Sequence, residues 1–382
     1  MNTPLTLLNE LTPEAFLTEY WQKKPLLIRQ AVPNFKGFLT PNELAGLACE
    51  EDVQSRIVKK IDDNWHLTHG PFDELSLTAL PEKDWTLLVQ AVNHYLPEAA
   101  ELLSQFNFIP HARLDDLMVS YAITGGSVGP HIDSYDVFLL QGSGKRRWKI
   151  NAHPDLTLID GLPLRILENF KAEQEWVLEA GDMLYLPPNI AHHGVSEDDD
   201  CMTYSIGFRV PKKQEVIEAF LEHLQDTIQT DGLYEDADLR CQQHPAEISD
   251  VMIAKVGAML QKITWDKNTV RDFLGRSLTE PRPDVFFEPI STEAAGEVSI
   301  DDFAQLLAKH ILFLDLKSQL LFYGSHFYIN GEPLLVPEDI QSSVRELADT
   351  RTLNTQVLND TQRLMLAKTF HTALLAGYIT IQ

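Results

Sequence analysis

The chain is poor in cysteine, short of basic residues and free of long apolar runs, and each shortage excludes something. Three cysteines, Cys49, Cys201 and Cys241, stand far apart in 382 residues. An odd number at wide spacing, with no CxxC, offers neither a disulfide framework nor a zinc site. Reduced, buried thiols are expected. Lys and Arg total 31 against 56 Asp and Glu, a formal net charge of -25. Binding along a nucleic-acid backbone needs clustered cations, so it is not expected. The acidity suits electrostatic steering of a basic protein or peptide, and it equally suits plain solubility. No stretch approaches the roughly 20 apolar residues that span a bilayer. The N-terminus MNTPLTLLNELTPEAF has no basic region ahead of an apolar one, so no signal peptide is expected. A cytoplasmic protein without membrane contact is the expectation. Internal repeats and low-complexity tracts are lacking too.

What is there is ordinary globular sequence. Hydrophobic residues make up 44% of a chain long enough for two or three domains. Residues 1–110 read as mixed, mostly helical structure. Pro41-Asn42-Glu43 opens a helical pattern, and Asp84 through Val92 predicts an amphipathic helix. From Leu117 to Val210 short β-type runs follow one another. They are LMVSYA (117–122), DVFLLQ (136–141), KRRWKI (145–150), EWVLEA (175–180), MLYLP (183–187) and CMTYSIGFRV (201–210). Gly142-Ser143-Gly144 predicts a hairpin between two of them, and Ala180-Gly181-Asp182 joins another two. Close-set strands without helices between them predict an all-β barrel or sandwich.

Pro211 closes that region and helical spacing returns. Val216, Ile217, Phe220, Leu221, Leu224 and Ile228 share one pattern, and Met252, Val256, Met259, Leu260 and Ile263 another. Residues 280–289 read as a linker. From about 298, a helix, a strand pair turned at Asn330-Gly331 and two more helices resemble a winged-helix module. Residues 291–382 carry six Lys/Arg against eleven Asp/Glu, a balance of -5, so DNA binding by this segment is not expected.

The chemistry-bearing residues lie in the β region. GGSVGPHID places His131 and Asp133 two apart on an extended segment, where side chains point the same way. GDMLYLPPNIAHHGVS supplies His192 and His193, which face opposite ways on a strand, so one of them can join His131 and Asp133. Periodicity does not choose between the two. Two imidazoles and one carboxylate form the facial triad of non-haem Fe(II) oxygenases, which leaves open coordination positions. Spacing alone also fits a surface HxD without a metal. On KRRWKI, Lys145, Arg147 and Lys149 share one face, and Arg146, Trp148 and Ile150 share the other. Arg146 thus points into apolar surroundings and needs an anion. A dicarboxylic co-substrate bound bidentately would supply it, as would an internal Asp or Glu.

The runs DDLMVSYAITGGSVGPHIDSYDVFLLQGSGKRRWKI and LEAGDMLYLPPNIAHHGVSEDDDCMTYSIGFRVP carry a specific resemblance. TEYWQKKPLLIRQ (18–30) and DWTLLVQAVNH (84–94) add to it. The chain resembles the JmjC-type, cupin-like ribosomal oxygenases, within them the bacterial branch that hydroxylates an arginine of a large-subunit ribosomal protein. The resemblance implies a mostly β catalytic core, a JmjC/cupin-like double-stranded β-helix with helical N-terminal elements, over residues 1–211. It implies a helical dimerisation region over 212–290 and a winged-helix-like C-terminal domain over 291–382. His131, Asp133 and His192 become the Fe(II) ligands, with His192 preferred because it stands five residues after Pro187. Arg146 takes the place of the arginine that binds the distal carboxylate of 2-oxoglutarate, and dioxygen is the second co-substrate. The implied partner is a basic ribosomal protein of the large subunit, and the implied oligomer a homodimer. The implied reaction is hydroxylation of an arginine β-carbon. Histidine hydroxylation, lysine demethylation and a non-catalytic binding module are the alternatives.

A substrate guanidinium calls for carboxylates or aromatic faces, and Asp115, Asp116, Tyr135 and Asp136 are the candidates. Turn and packing roles compete for each of them. Two positions depart from the family: Ala122 stands in place of a serine and Thr203 in place of an asparagine. Ala122 has no side-chain donor, which leaves Tyr135 or Ser120 to assist Arg146.

Overall fold

A computed structural model of the chain describes residues 3–228, 231–290 and 298–382. Two antiparallel sheets form the core. The large sheet runs β1 (Leu26–Ile28), β10 (Met183–Leu186), β7 (Asp136–Ser143), β12 (Cys201–Phe208), β5 (Leu114–Ala122), β4 (Trp85–Val89), β2 (Ser55–Ile61), β3 (Asn64–His69). The small sheet runs β6 (His131–Ile132), β11 (Ala191–Ser196), β8 (Arg146–Asn151), β9 (Gln174–Leu178).

Alternation along each strand divides the core in two. On β7, Phe138 and Leu140 point outward to a layer that includes Phe16 of helix α1 (Pro13–Glu19), Phe106 and Phe208. Val137 and Leu139 point inward, against Trp148 and Ile150 of the small sheet. The space between the sheets is therefore apolar on this side, with polar groups only where the sequence places them.

The structure corrects several expectations. Asp84 through Val92 is not a helix: Trp85–Val89 is strand β4, paired to β2 on one side and β5 on the other. Both neighbours exist only in the folded chain, and a short apolar run cannot be told from a buried helix by periodicity. Residues 1–110 supply β1 to β4, half of the large sheet, so this region is not mostly helical. The glycine turn after β7 does not close a hairpin. It carries the chain from the large sheet to the small one, and Ala180-Gly181-Asp182 carries it back from β9 to β10. Such crossings between facing sheets make the double-stranded β-helix. The cysteines are also mixed: Cys201 is buried, Cys49 half-buried and Cys241 exposed.

Beyond the core, the helices Lys213–Thr227 and Asp250–Leu260 form at the expected positions. Leu224 is buried and Phe220 packs on Phe273, but other apolar residues of the two helices face outward, with Leu221 57% and Ile253 59% exposed. A further helix, Lys267–Thr279, packs on the strands Leu320–Tyr323, His326–Ile329 and Glu332–Leu334. The turn between the last two has Asn330 at φ 48 and Gly331 at φ 88, both left-handed, as a two-residue hairpin turn requires. The helices Ile300–Leu307, Gln341–Thr350 and Asp360–Leu375 close a second core around Phe303, Leu347 and Phe370. No helix among the described residues is long and apolar enough to cross a membrane.

Candidate metal centre

The small sheet brings the two halves of the sequence pattern together. In β11, His192 lies opposite His131 of β6 on one side and Ile150 of β8 on the other. One ligand atom each from His131, Asp133 and His192 lies within 4.8 Å of the others. His192 Nε2 is 3.5 Å from Asp133 Oδ2, and His131 Nε2 is 3.9 Å from Asp133 Oδ1. The two imidazole centroids are 4.2 Å apart.

The far nitrogens fix the rings. His131 Nδ1 lies 2.9 Å from the Gly129 carbonyl, and His192 Nδ1 lies 3.0 Å from the Ile190 carbonyl. A carbonyl only accepts, so each Nδ1 carries the hydrogen and each Nε2 offers its lone pair to the centre. Burial and the neighbouring His131 push His192 down to about 4, which keeps it neutral, as a metal ligand must be. His193 turns the other way, against the Phe170 ring, and stands outside the cluster. Two nitrogens and one carboxylate, partly open to solvent at His131 and Asp133, suit a divalent iron-type ion.

Arg146 lies on the same sheet and is 5% exposed. Its Nε and Nη2 are buried without a hydrogen-bond partner, and its guanidinium lies 5.6 Å from the Trp148 ring centroid. A buried guanidinium left unpaired costs several kcal/mol. The chain itself provides no carboxylate partner to Arg146 among the described residues. The cationic end of a dicarboxylate site is thus present, and the donor set and the arginine together fit iron plus 2-oxoglutarate.

Two family descriptions match the chain: residues 101–216 match the JmjC domain, and residues 262–378 match the ROXA-like winged helix. The probable ribosomal oxygenase of Haemophilus influenzae is 42% identical over 371 residues, covering 92% of this chain and 89% of that one. The ribosomal protein uL16 3-hydroxylase of Escherichia coli is 34% identical over 331 residues, covering 84% and 85%. This chain belongs to the ribosomal oxygenases. The solved structure of YcfD, a ribosomal oxygenase from Escherichia coli in complex with cobalt and 2-oxoglutarate, matches with a TM-score of 0.82. Its identity is 31%, covering 97% of this chain and 98% of that one.

In this ribosomal oxygenase the four residues considered for substrate binding do not stay together. Asp136 faces the outer layer, where it accepts from Tyr185 Oη at 2.6 Å and Gln22 Nε2 at 2.9 Å. Asp115 pairs with Arg209 at 3.3 Å and with Arg282. Alternation on their strands turns both away from the space between the sheets. Asp116 points inward, 4% exposed, and accepts from Gln90 Nε2 at 2.7 Å and the Ala91 amide at 3.0 Å. Burial, with Asp115 adding to it, raises its carboxyl above the usual range. Tyr135 is 40% exposed, and burial of its hydroxyl end with Asp133 and Asp116 nearby pushes its phenol up. Arg282 Nη1 also lies 4.0 Å from Asp116 Oδ2, and of the four only Tyr135 has a residue of the cluster, Asp133, acting on it.

Sequence reasoning missed the two carbonyls that orient the histidines, because a backbone group leaves no residue-type signal. It also missed Arg56 of β2, whose Nη2 lies 3.7 Å from Met118 Sδ and whose charge acts on Tyr135. Arg56 is one of three cations in the strand SRIVKKI, with Lys59 and Lys60, so residue type alone does not single it out. Of the two departures, Thr203 donates to Gln141 Oε1 at 3.1 Å, and Ala122 is fully buried. Ser120 shares the inner face of β5 with Ala122 and lies opposite Thr203 in register.

Proposed function

We propose that this oxygenase hydroxylates the β-carbon of an arginine side chain in large-subunit ribosomal protein uL16. The observation that carries the reading is the unpartnered Arg146 on the same small sheet as the His131, Asp133 and His192 cluster. His131, Asp133 and His192 would hold Fe(II), and Arg146 would take the distal carboxylate of 2-oxoglutarate. Bound there, iron with 2-oxoglutarate and dioxygen supplies the oxidising power for C–H hydroxylation, with succinate and carbon dioxide as co-products.

The protein's own share is orientation. Two carbonyls lock the imidazoles, and Arg146 sets the far end of the co-substrate. Ser120 is the hydroxyl that assists Arg146 in place of a side chain at Ala122. Tyr135 and Asp116 receive the substrate arginine, an aromatic face and a carboxylate being the groups a guanidinium pairs with. The net charge of -25 favours encounter with a basic ribosomal protein. Such a substrate is met in the cytoplasm, where this reading has the enzyme act.

The test is to incubate uL16 with enzyme, Fe(II) and 2-oxoglutarate and locate the product by fragment mass spectrometry. The expected result is one added oxygen on the β-carbon of a single arginine. Oxygen on a histidine, or loss of a methyl group from a lysine, would move the reading to the alternative substrates.

The apolar faces of the helices Lys213–Thr227 and Asp250–Leu260 are assigned to a second copy of the chain. Residues Ile217, Leu221, Met252, Ile253 and Leu260 are all more than a third exposed, an unusual run for a protein surface. Light scattering is expected to give twice the 43.3 kDa chain mass, and Leu221→Glu with Ile253→Glu the single mass. A monomer for the unaltered protein would rule the dimer out.

A further inference from the structure

The two histidines of the centre are supported unequally by the sheet. His192 has a paired strand on each side, β6 and β8. His131 sits on the two-residue strand β6, at the sheet edge, with β11 as its one neighbour. Something else must hold His131, and the loop before it shows what does.

The carbonyl that accepts from His131 Nδ1 belongs to Gly129, whose φ is +82, a conformation suited to glycine. Two side chains from distant parts of the chain close on this glycine. A Cβ at position 129 would lie 2.9 Å from Ile166 Cδ1 and 3.2 Å from Trp65 Cζ2. Ile166, 2% exposed, comes from the loop between β8 and β9. Trp65, half-buried, comes from β3 at the far edge of the large sheet. The backbone is pinned on either side as well. Ser127 Oγ accepts from the Gly129 amide at 3.0 Å, and the Leu167 amide donates to the Pro130 carbonyl at 2.8 Å.

We propose that Trp65 and Ile166 are positioning residues for the metal centre, gripping Gly129 so that its carbonyl holds the His131 imidazole toward the ion. This rests on the reading of His131 as a metal ligand. Neither residue touches the ion, so both act through Gly129. Outer groups that orient a ligating histidine typically change metal affinity by about 10- to 100-fold when removed.

The experiment titrates Co(II) into metal-free full-length protein and follows the visible bands of the bound ion. Trp65→Ala and Ile166→Ala are each expected to weaken binding roughly tenfold. Trp65→Phe and Ile166→Leu are expected to recover most of that loss. Leu156→Ala, on the same loop but 59% exposed, is expected to bind like the unaltered protein. Trp65 is only half-buried, so its variant stays informative if Ile166→Ala fails to fold. His131→Ala separates the two levels of the claim. Unchanged Co(II) affinity in His131→Ala would sink the metal-ligand reading itself. Lost affinity in His131→Ala, with Trp65→Ala binding as tightly as the unaltered protein, would overturn the clamp alone.

Discussion

The small sheet carries Arg146 and His192 on the inner faces of β8 and β11, and His131 on β6 beside them. Its outer face is wet, with Arg147 paired to Glu175 and Glu197 and Lys149 close by. The large sheet is covered on its outer face by a layer of aromatic and aliphatic side chains. Phe138 there lies 4.9 Å from the Phe106 ring and 4.8 Å from that of Tyr185. The inner face of the small sheet thus carries the cluster and the unpaired arginine, while the outer face of the large sheet is given to packing. The difference teaches that side chains of similar burial serve opposite ends: Phe138 is buried with partners, Arg146 is buried without them.

Substitutions should separate the two roles. The largest expected effect is on the triad. Asp133→Ala should lower uL16 hydroxylation by at least about a hundredfold, the upper end of the roughly 10- to 100-fold that outer groups of such a centre contribute. Its urea midpoint should stay near that of the unaltered protein. Phe138→Ala should do the reverse, lowering the free energy of unfolding by about 3–5 kcal/mol while the folded fraction still binds Co(II). A Phe138 variant that folds well but binds no metal would break the division between the sheets.

Arg146→Ala sharpens it. Affinity for 2-oxoglutarate should fall by about 2–5 kcal/mol, the scale for removing one partner of a buried charge pair. The ligand-free variant should melt no lower than the unaltered protein, because it no longer buries an unpaired guanidinium. Added 2-oxoglutarate should raise the melting temperature of the unaltered protein and not of the variant, as calorimetry would show.

A smaller effect comes with pH. Burial holds His94, His192 and His193 down to about 4, against a usual 6.5. Between those values the unfolded chain binds more protons than the folded one, so stability falls as pH drops from 6.5 toward 4. The three groups add no pH dependence above that window. The urea midpoint of metal-free protein should be lower at about pH 5 than at about pH 7, and His193→Gln should decline less. The smallest effect is expected at Arg147→Ala on the wet face, where both hydroxylation and melting should be unchanged.

Much of this division is legible in the amino-acid sequence. Strict alternation in KRRWKI puts Arg146 inside and Arg147 outside, and the burial follows that split. HID and the paired histidines point to the cluster, because a period of two places side chains without knowledge of neighbours. Strand β4 escapes such reading because WTLLV is buried on both faces and has no alternation to show. The sheet crossings after β7 and β9 escape it because a glycine turn looks the same whether the next strand pairs with the last or faces it. Asp115 and Asp136 mislead because their true partners, Arg282 and Tyr185, are distant in sequence.

The cluster and Arg146 on the small sheet are proposed to couple 2-oxoglutarate to oxidation of a uL16 arginine. The most direct measurement counts succinate formed against hydroxylated uL16 in one reaction, for the unaltered enzyme and for Asp133→Ala. One succinate is expected for each hydroxylated arginine, and neither product from the variant. Hydroxylation that persists in Asp133→Ala, or succinate that forms without hydroxylated uL16, would contradict it.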